Sequence, residues 1–302
     1  MKASPLAVAL ALTALAGSAI AADLPAVKAP PPPVFSWSGF YIGANVGYTW
    51  GAKNAIGSFA VPFFDNDPFF GAASAAGATV GVAPDFNGAI GGGQIGYNYQ
   101  FRDRFVAGIE ADIQGASVQG TISGARFAPV VNQPGFSVTT VTQASRNLDY
   151  LGTIRGRLGY TVYPTVLVYA TGGLAYGGVS QTVSTSHFGN WAGDPFFPAS
   201  SDAFGFSWSR FSDTRVGWTV GGGLEWGFRS NWSAKLEYLY YDLGRVRSEG
   251  LVAFDTNSLS APVIGGAGLV SVESQTRFNG HLVRAGLNYR LDFYKPPIVA
   301  KY

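Results

Sequence analysis

The sequence predicts an all-β fold: an eight-stranded antiparallel up-and-down transmembrane β-barrel with short periplasmic turns and long extracellular loops. Three observations predict it. Hydrophobicity alternates with a period of two in eight separate segments. The connectors between those segments are alternately tight and long. The bulky apolar residues share one face of each segment, while glycine, small polar residues and charges share the other.

Composition removes the competing classes. Glycine supplies 41 of 302 residues and charged residues only 13%, against usual shares of ~7% and ~25%. With no cysteine there is no disulfide framework and no thiolate zinc site. A hydrophobic content of 47% excludes a charge-rich disordered chain. No apolar run of ~20 residues follows the N-terminus, which argues against spanning helices. The net charge of +2 and scattered Lys and Arg argue against a nucleic-acid partner.

Residues 1–21 read as a signal peptide, with Lys2 as the basic region, an apolar stretch from Pro5 to Ala16, and Ala19-Ile20-Ala21 as the cleavage motif. Residues 22–36 read as a periplasmic linker, extended by the prolines at Pro30 to Pro33. The barrel is expected over 37–293, followed by a tail at 294–302.

In the first strand Phe40, Ile42, Ala44, Val46, Tyr48 and Trp50 share the greasy face. The second, 89–101, sets Ile95, Tyr97, Tyr99 and Phe101 against Gln94, Gly96, Asn98 and Gln100. The third, 105–115, sets Phe105, Ile109 and Ile113 against Glu110, Asp112 and Gln114. The fourth, 148–162, sets Leu148, Tyr150, Ile154, Leu158, Tyr160 and Val162 against Asp149, Thr153, Arg155 and Arg157. The fifth, 166–178, is ambiguous, with Leu174 and Tyr176 pointing to the even positions as outward. The sixth and seventh, 216–228 and 232–241, oppose Trp218, Leu224 and Trp226 to Glu225, and Trp232, Leu236 and Tyr238 to Lys235 and Glu237. The eighth, 278–291, opposes Val283, Leu287, Tyr289 and Leu291 to Arg284, Asn288 and Arg290. Arg102-Asp103-Arg104, Tyr163-Pro164-Thr165 and Arg229-Ser230-Asn231 are tight turns, and 52–88, 116–146, 180–214 and 244–276 are long connectors.

A soluble barrel would turn its polar face outward. Here the greasy set is too bulky for an eight-strand interior, and each Arg or Lys facing lipid near the midplane would cost ~2–4 kcal/mol. The greasy face therefore meets lipid. Trp50, Tyr99, Tyr163, Trp218, Trp226 and Trp232 lie near segment ends, as interfacial girdles require.

The inward charges then balance, with Glu110, Asp112, Asp149, Glu225 and Glu237 against Arg155, Arg157, Lys235, Arg284 and Arg290. Buried charges persist only when paired. Glu110, Asp112, Glu225 and Glu237 are expected to form a network with Arg155, Arg157, Lys235 and Arg284 that plugs the lumen. The competing reading is a polar channel wall.

Chemical motifs are sparse. Gly91-Gly92-Gly93-Gln94-Ile95-Gly96 fits a dinucleotide fingerprint but runs into a strand rather than a helix. Ser271, Ser274 and His281 share a rim without any nucleophile–base spacing. Acidic residues at Asp65, Asp67, Asp194 and Asp202 read as solvated surface. No catalytic, cofactor-binding or metal-binding residue is assigned.

The last strand runs Arg284-Ala285-Gly286-Leu287-Asn288-Tyr289-Arg290-Leu291, and resembles the signal read by the barrel-assembly machinery, carried by Gly286, Tyr289, Leu291 and Phe293. That signal ordinarily ends the chain, whereas here residues to Tyr302 follow.

Ala22-Asp23-Leu24-Pro25, Trp37-Ser38-Gly39-Phe40-Tyr41-Ile42-Gly43, Gly217-Trp218-Thr219-Val220-Gly221, Trp232 to Tyr238 and Val283 to Tyr289 span almost the whole mature chain. In these segments it resembles the alphaproteobacterial porin-like outer-membrane proteins, the small major outer-membrane proteins of rhizobia and Brucella with an OmpA-like barrel. The resemblance implies an outer-membrane location, exposed antigenic loops and a role in envelope integrity. Expected partners are outer-membrane lipids and lipopolysaccharide, with the barrel-assembly machinery during biogenesis. The alternative function is a small non-specific diffusion porin, and the loop ligand stays open.

Overall fold

The computed structural model describes residues 35–291 apart from 54, 66–67, 131–134, 192–203 and 256–266. The signal segment, the linker up to Val34, Phe293, and the loop acids Asp67, Asp194 and Asp202 lie outside the described residues.

Strands β1 (Gly39–Gly51) and β2 (Ile56–Asp65) lead into a helix, α1 (Pro68–Ala78), and a short strand β3 (Val80–Val82). Then follow β4 (Asn87–Phe101), β5 (Phe105–Pro129), β6 (Phe136–Tyr163), β7 (Val166–Trp191), β8 (Phe204–Gly227), β9 (Trp232–Asp255) and β10 (Ala267–Leu291). Eight of them form a ring in the order β1, β4, β5, β6, β7, β8, β9, β10, and β10 pairs back to β1 from Phe40↔Leu291 to Gly51↔Gly280. Neighbours are antiparallel throughout, so this is an up-and-down barrel. Closure pairs the backbone groups that lipid could not satisfy.

The greasy face is on the outside. Phe40, Ile42, Val46, Ile95, Ile109, Ile154, Leu158, Val220, Leu224, Leu236 and Leu287 are all exposed. On β7 the even positions face outward, with Val168 and Leu174 exposed and Leu167, Tyr169 and Ala175 buried. Tyr99, Phe101, Phe105, Tyr160, Trp226 and Trp232 cluster beside the tight turns, while Trp50, Trp218 and His281 mark the far edge. On β1 the band runs from Phe40 to Trp50, which at ~3.3 Å per residue and ~40° tilt is about 25 Å tall, the height of an outer-membrane apolar band.

Above that band the strands continue into the stretches that the sequence marks as long connectors at 116–146, 180–214 and 244–276. β5 to β10 reach up to 28 residues, far more than a span needs. The reason is a reversal of polarity. Outside the membrane the outer face meets water instead of lipid, so β5, β6, β9 and β10 largely follow the soluble rule, while β2 and β8 keep Phe59, Phe63, Phe206 and Trp208 exposed. Ser117, Gln119, Thr121, Ser123, Arg245 and Glu249 turn outward, and Val138, Ala144, Val183, Val246, Val252, Val270 and Val272 turn inward. An alternation of Ser and Thr with Val reads as a loop when only greasy stripes are counted.

Pairing irregularities mark the changeover, at Gly115/Val118, at Leu148/Tyr150 and at Arg277/Asn279, where β9 carries Gly244 at φ 85°. An extra residue switches the face of everything beyond it. Leu148 is consequently buried and Asp149 exposed, which overturns the sequence assignment of Leu148 to lipid and Asp149 to the lumen.

In this upper half β2 replaces β1 as the neighbour of β10, pairing from Thr276↔Ile56 to Gly268↔Asp65. Helix α1, made largely of Ala, Gly and Ser, packs on β2 and β10 and, across the ring, on β6. Small side chains let it lie within the mouth. At Gly77 even a Cβ would come within 2.1 Å of Thr140 Oγ1.

Candidate functional site in the lumen

The eight charged residues expected in the lumen do converge, at one depth, with side chains at most 3% exposed. Register places several directly opposite each other on adjacent strands: Glu110 and Arg155, Glu225 and Lys235, Glu237 and Arg284. The longer reaches cross the bore. β5 and β9 stand four places apart in the ring of eight, as do β6 and β10.

Glu110 on β5 accepts from Arg155 Nη2 at 2.5 Å and, across the bore, from Lys235 Nζ at 2.8 and 2.9 Å. Its other oxygen accepts from Tyr41 Oη at 2.7 Å. Asp112 receives Arg155 Nη2 and Arg284 Nη2, both at 2.9 Å, and Thr153 Oγ1 at 2.7 Å. Glu237 receives Arg155 Nη1 at 2.9 Å, Arg284 Nε at 2.7 Å and Tyr169 Oη at 3.0 Å. Glu225 receives Arg157 Nη2 at 2.7 Å, Ser233 Oγ at 2.6 Å and Asn288 Nδ2 at 2.8 Å. Arg157 also lies 3.9 Å above the Tyr169 ring. Four acids meet four bases, so the layer is neutral and held by charge-assisted hydrogen bonds, with Arg157 Nε and Arg284 Nη1 left without a partner.

Below it, Phe35 and Trp37 close the periplasmic mouth. Trp37 is 3% exposed, its indole N–H donates to the Pro164 carbonyl at 3.1 Å, and it packs with Val106, Leu167 and Tyr169. The space left among Phe35, Trp37, Glu225 and Asn288 is about 20 Å³, enough for a single water.

Above the charges lies an apolar layer that includes Ile90, Leu148, Leu151, Val179, Leu239, Leu243 and Leu282. Arg146 sits there at 0% exposure with its guanidinium 4.5 Å from the Phe86 ring and 4.6 Å from the Phe278 ring. It donates to the Arg277 carbonyl at 2.9 Å rather than to any carboxylate among the described residues. Burial lowers its pKa to about 10, and the aromatic faces stand in for a counter-ion. Higher still, Thr140 Oγ1 lies 3.0 Å from His187 Nδ1 beneath α1, and burial holds the imidazole down at about 4.

Sequence reasoning does not single out Tyr41, Tyr169, Arg146 or His187. Tyr41 and Tyr169 carry a signal, because each is a bulky aromatic on an otherwise small, polar face. Of the other residues singled out, Arg290 reaches the rim and lies 4.9 Å from the Phe35 ring. Ser274 is buried against Ser58 Oγ at 2.8 Å, whereas His281 stacks outside on Trp50, so no nucleophile–base pair forms between them. In the last strand Gly286 lies against Lys235 inside, Tyr289 is 37% exposed outside, and Leu291 ends β10.

A family model for the outer membrane protein beta-barrel domain matches residues 7–290. The chain belongs to this outer-membrane β-barrel family. It is similar to the 31 kDa outer-membrane immunogenic protein of Brucella melitensis, at 35% identity over 93% of this chain and 94% of that one. It is also similar to the 22 kDa outer membrane protein of Rhizobium leguminosarum bv. viciae, at 30% identity over 72% of this chain and 69% of the relative. Among solved structures, the outer membrane protein OprG of Pseudomonas aeruginosa aligns over 85% of this chain and 99% of its own, with a TM-score of 0.36 and 10% identity. This outer-membrane barrel thus resides in the Gram-negative outer membrane, and its turns and extended half take the periplasmic and extracellular sides respectively.

Proposed function

We propose that this protein is a closed structural barrel that contributes to envelope integrity and meets its surroundings through the extracellular half. The observation that carries this reading is the set of ion pairs spanning the bore, Lys235 to Glu110 and Arg155 to Glu237. Ions passing through would have to break a neutral, dehydrated network, then cross an apolar layer and a helix lodged in the mouth. Ser117, Gln119, Thr121 and Ser123, exposed on the outside of β5 above the upper girdle, suit contact with lipopolysaccharide sugars. The function is non-enzymatic. Residues 1–21 act as a cleaved signal, 22–36 as the periplasmic linker, and Gly286, Tyr289, Leu291 and Phe293 as the assembly signal.

Planar-bilayer recording on the purified protein tests this. The expected result is no stable conductance from the wild type. A large, steady conductance would replace the structural reading with the diffusion pore. In cells, deleting the gene is expected to raise detergent sensitivity and leakage of periplasmic protein.

A further inference from the structure

On the lipid face, the wall beside the β4–β5 turn is hollow. Three outward ranks cross β5, β6 and β7: Phe105, Tyr160 and Val168; then Ala107, Leu158 and Ala170; then Ile109, Gly156 and Gly172. Between the first two ranks lies a hollow of about 610 Å³, lined by Phe101, Phe105, Leu158, Tyr160, Val168 and Ala170. A second of about 460 Å³ reaches Gly156 and Gly172, and shares Leu158 and Ala170 with the first. The two make one trough running up from the periplasmic edge.

Nothing inside the protein demands these glycines. A Cβ at Gly156 would come no nearer than 4.0 Å to another atom, and one at Gly172 no nearer than 3.5 Å. Neither has a positive φ. Glycine weakens a strand interior, so the bareness serves what lies outside.

The mouth of the trough is basic. Arg104 Nη1 donates to Tyr160 Oη at 2.9 Å, which fixes the guanidinium where Tyr160 lines the hollow. Arg102 and Asp103 hold φ of 49° and 60° in the same turn. Such a hairpin favours Asn-Gly, so carrying arginine here costs backbone energy. Among the described residues of the tight turns, Arg102, Arg104 and Arg229 stand against Asp103 alone.

We propose that this trough is a specific site for one phospholipid of the inner leaflet with a net negative headgroup. Its phosphate is held by Arg104 and Arg102, and one acyl chain lies along the trough against Leu158, Ala170 and Gly172. A zwitterionic headgroup would set its ammonium against the arginines. Lipid A occupies the opposite leaflet.

Native mass spectrometry tests this, with the full protein offered equimolar dioleoylphosphatidylglycerol and dioleoylphosphatidylethanolamine in detergent. The wild type is expected to keep one phosphatidylglycerol, with a preference of up to about thirtyfold, the scale two surface arginines provide. Replacing both arginines (Arg102→Ala with Arg104→Ala) should abolish the preference. Ala170→Phe should fill the trough and lose both lipids. Arg229→Ala, on another turn, should bind as the wild type. Heat-modifiable electrophoretic mobility verifies that each variant is folded. Equal retention of the two lipids by the wild type would overturn the site, as would an unchanged preference in the double variant. Equal loss in Arg229→Ala would show rim charge alone, and overturn it too.

Discussion

Glu110 on β5 and Lys235 on β9 stand on opposite walls of the barrel, and the Lys235 ammonium donates to both oxygens of the Glu110 carboxylate at 2.8 and 2.9 Å. That contact, with Arg155 to Glu237, ties the bore across its width. It also makes the two partners unequal. Glu110 lies within 4.0 Å of Arg155, Arg157 and Arg284 as well. Among the described residues, Lys235 forms an ion pair with Glu110 alone.

Removing the acid should therefore hurt more than removing the base. Glu110→Ala leaves Lys235 with no ion-pair partner among the described residues and takes one carboxylate from each of Arg155, Arg157 and Arg284, and should cost ~3–5 kcal/mol. Lys235→Met leaves Glu110 neutralised by arginines and should cost clearly less. Urea unfolding in lipid vesicles, followed by tryptophan fluorescence, measures both. Equal losses would contradict the crossing geometry. Bilayer recording should also show brief openings only in Glu110→Ala.

The reversal of polarity at the upper girdle makes the cost of an outward arginine depend on height. Leu287 faces lipid at 44% exposure and Thr121 faces outward above the band. Leu287→Arg should destabilise by ~2–4 kcal/mol, and Thr121→Arg by less than ~0.5 kcal/mol. The same unfolding assay distinguishes them. A comparable loss at Thr121 would place the membrane boundary higher than Trp50 and Trp218.

His187 gives the extracellular half a pH dependence. Its imidazole is buried and titrates at about 4, against 6.5 in an unfolded chain. Below 6.5 the unfolded state takes up the proton first, so stability falls as pH drops from 6.5 to about 4 and is flat above 6.5. The loss is on the order of 3 kcal/mol. Limited proteolysis at pH 7 and pH 4.5 should show faster cutting above the girdle at the lower pH. His187→Gln should remove the difference.

Gly77 tests the helix in the mouth. Its approach to Thr140 leaves no room for a side chain, so Gly77→Val should push α1 off β6. Protease added to intact cells should then cut 52–88 faster, while the membrane-embedded half keeps its heat-modifiable mobility. Unaltered cutting would mean that the helix does not depend on that contact.

The membrane half was legible because lipid imposes one rule on every strand. The faces of β1, β4, β5, β8 and the lower part of β10 follow from counting greasy residues, and so do the eight inward charges. The extracellular half was not, since there the strands carry Ser, Thr and Val in the weak alternation that loops also show. Leu148 and Asp149 illustrate the limit: an extra residue in one strand moves both to the other face, and a pairing irregularity exists only between strands. Arg146 looks like any surface arginine until Phe86 and Phe278, distant in sequence, close over it.

Read without coordinates, the chain already specifies eight spans, their outward face and a balanced set of lumen charges, because period-two patterning and the cost of charge in lipid are properties of each strand alone. Which acid meets which base across the bore, where the wall turns inside out, and that α1 lies in the mouth were decided only by the closed ring. Those relations depend on register and on which strands stand opposite, and ring closure sets both at once.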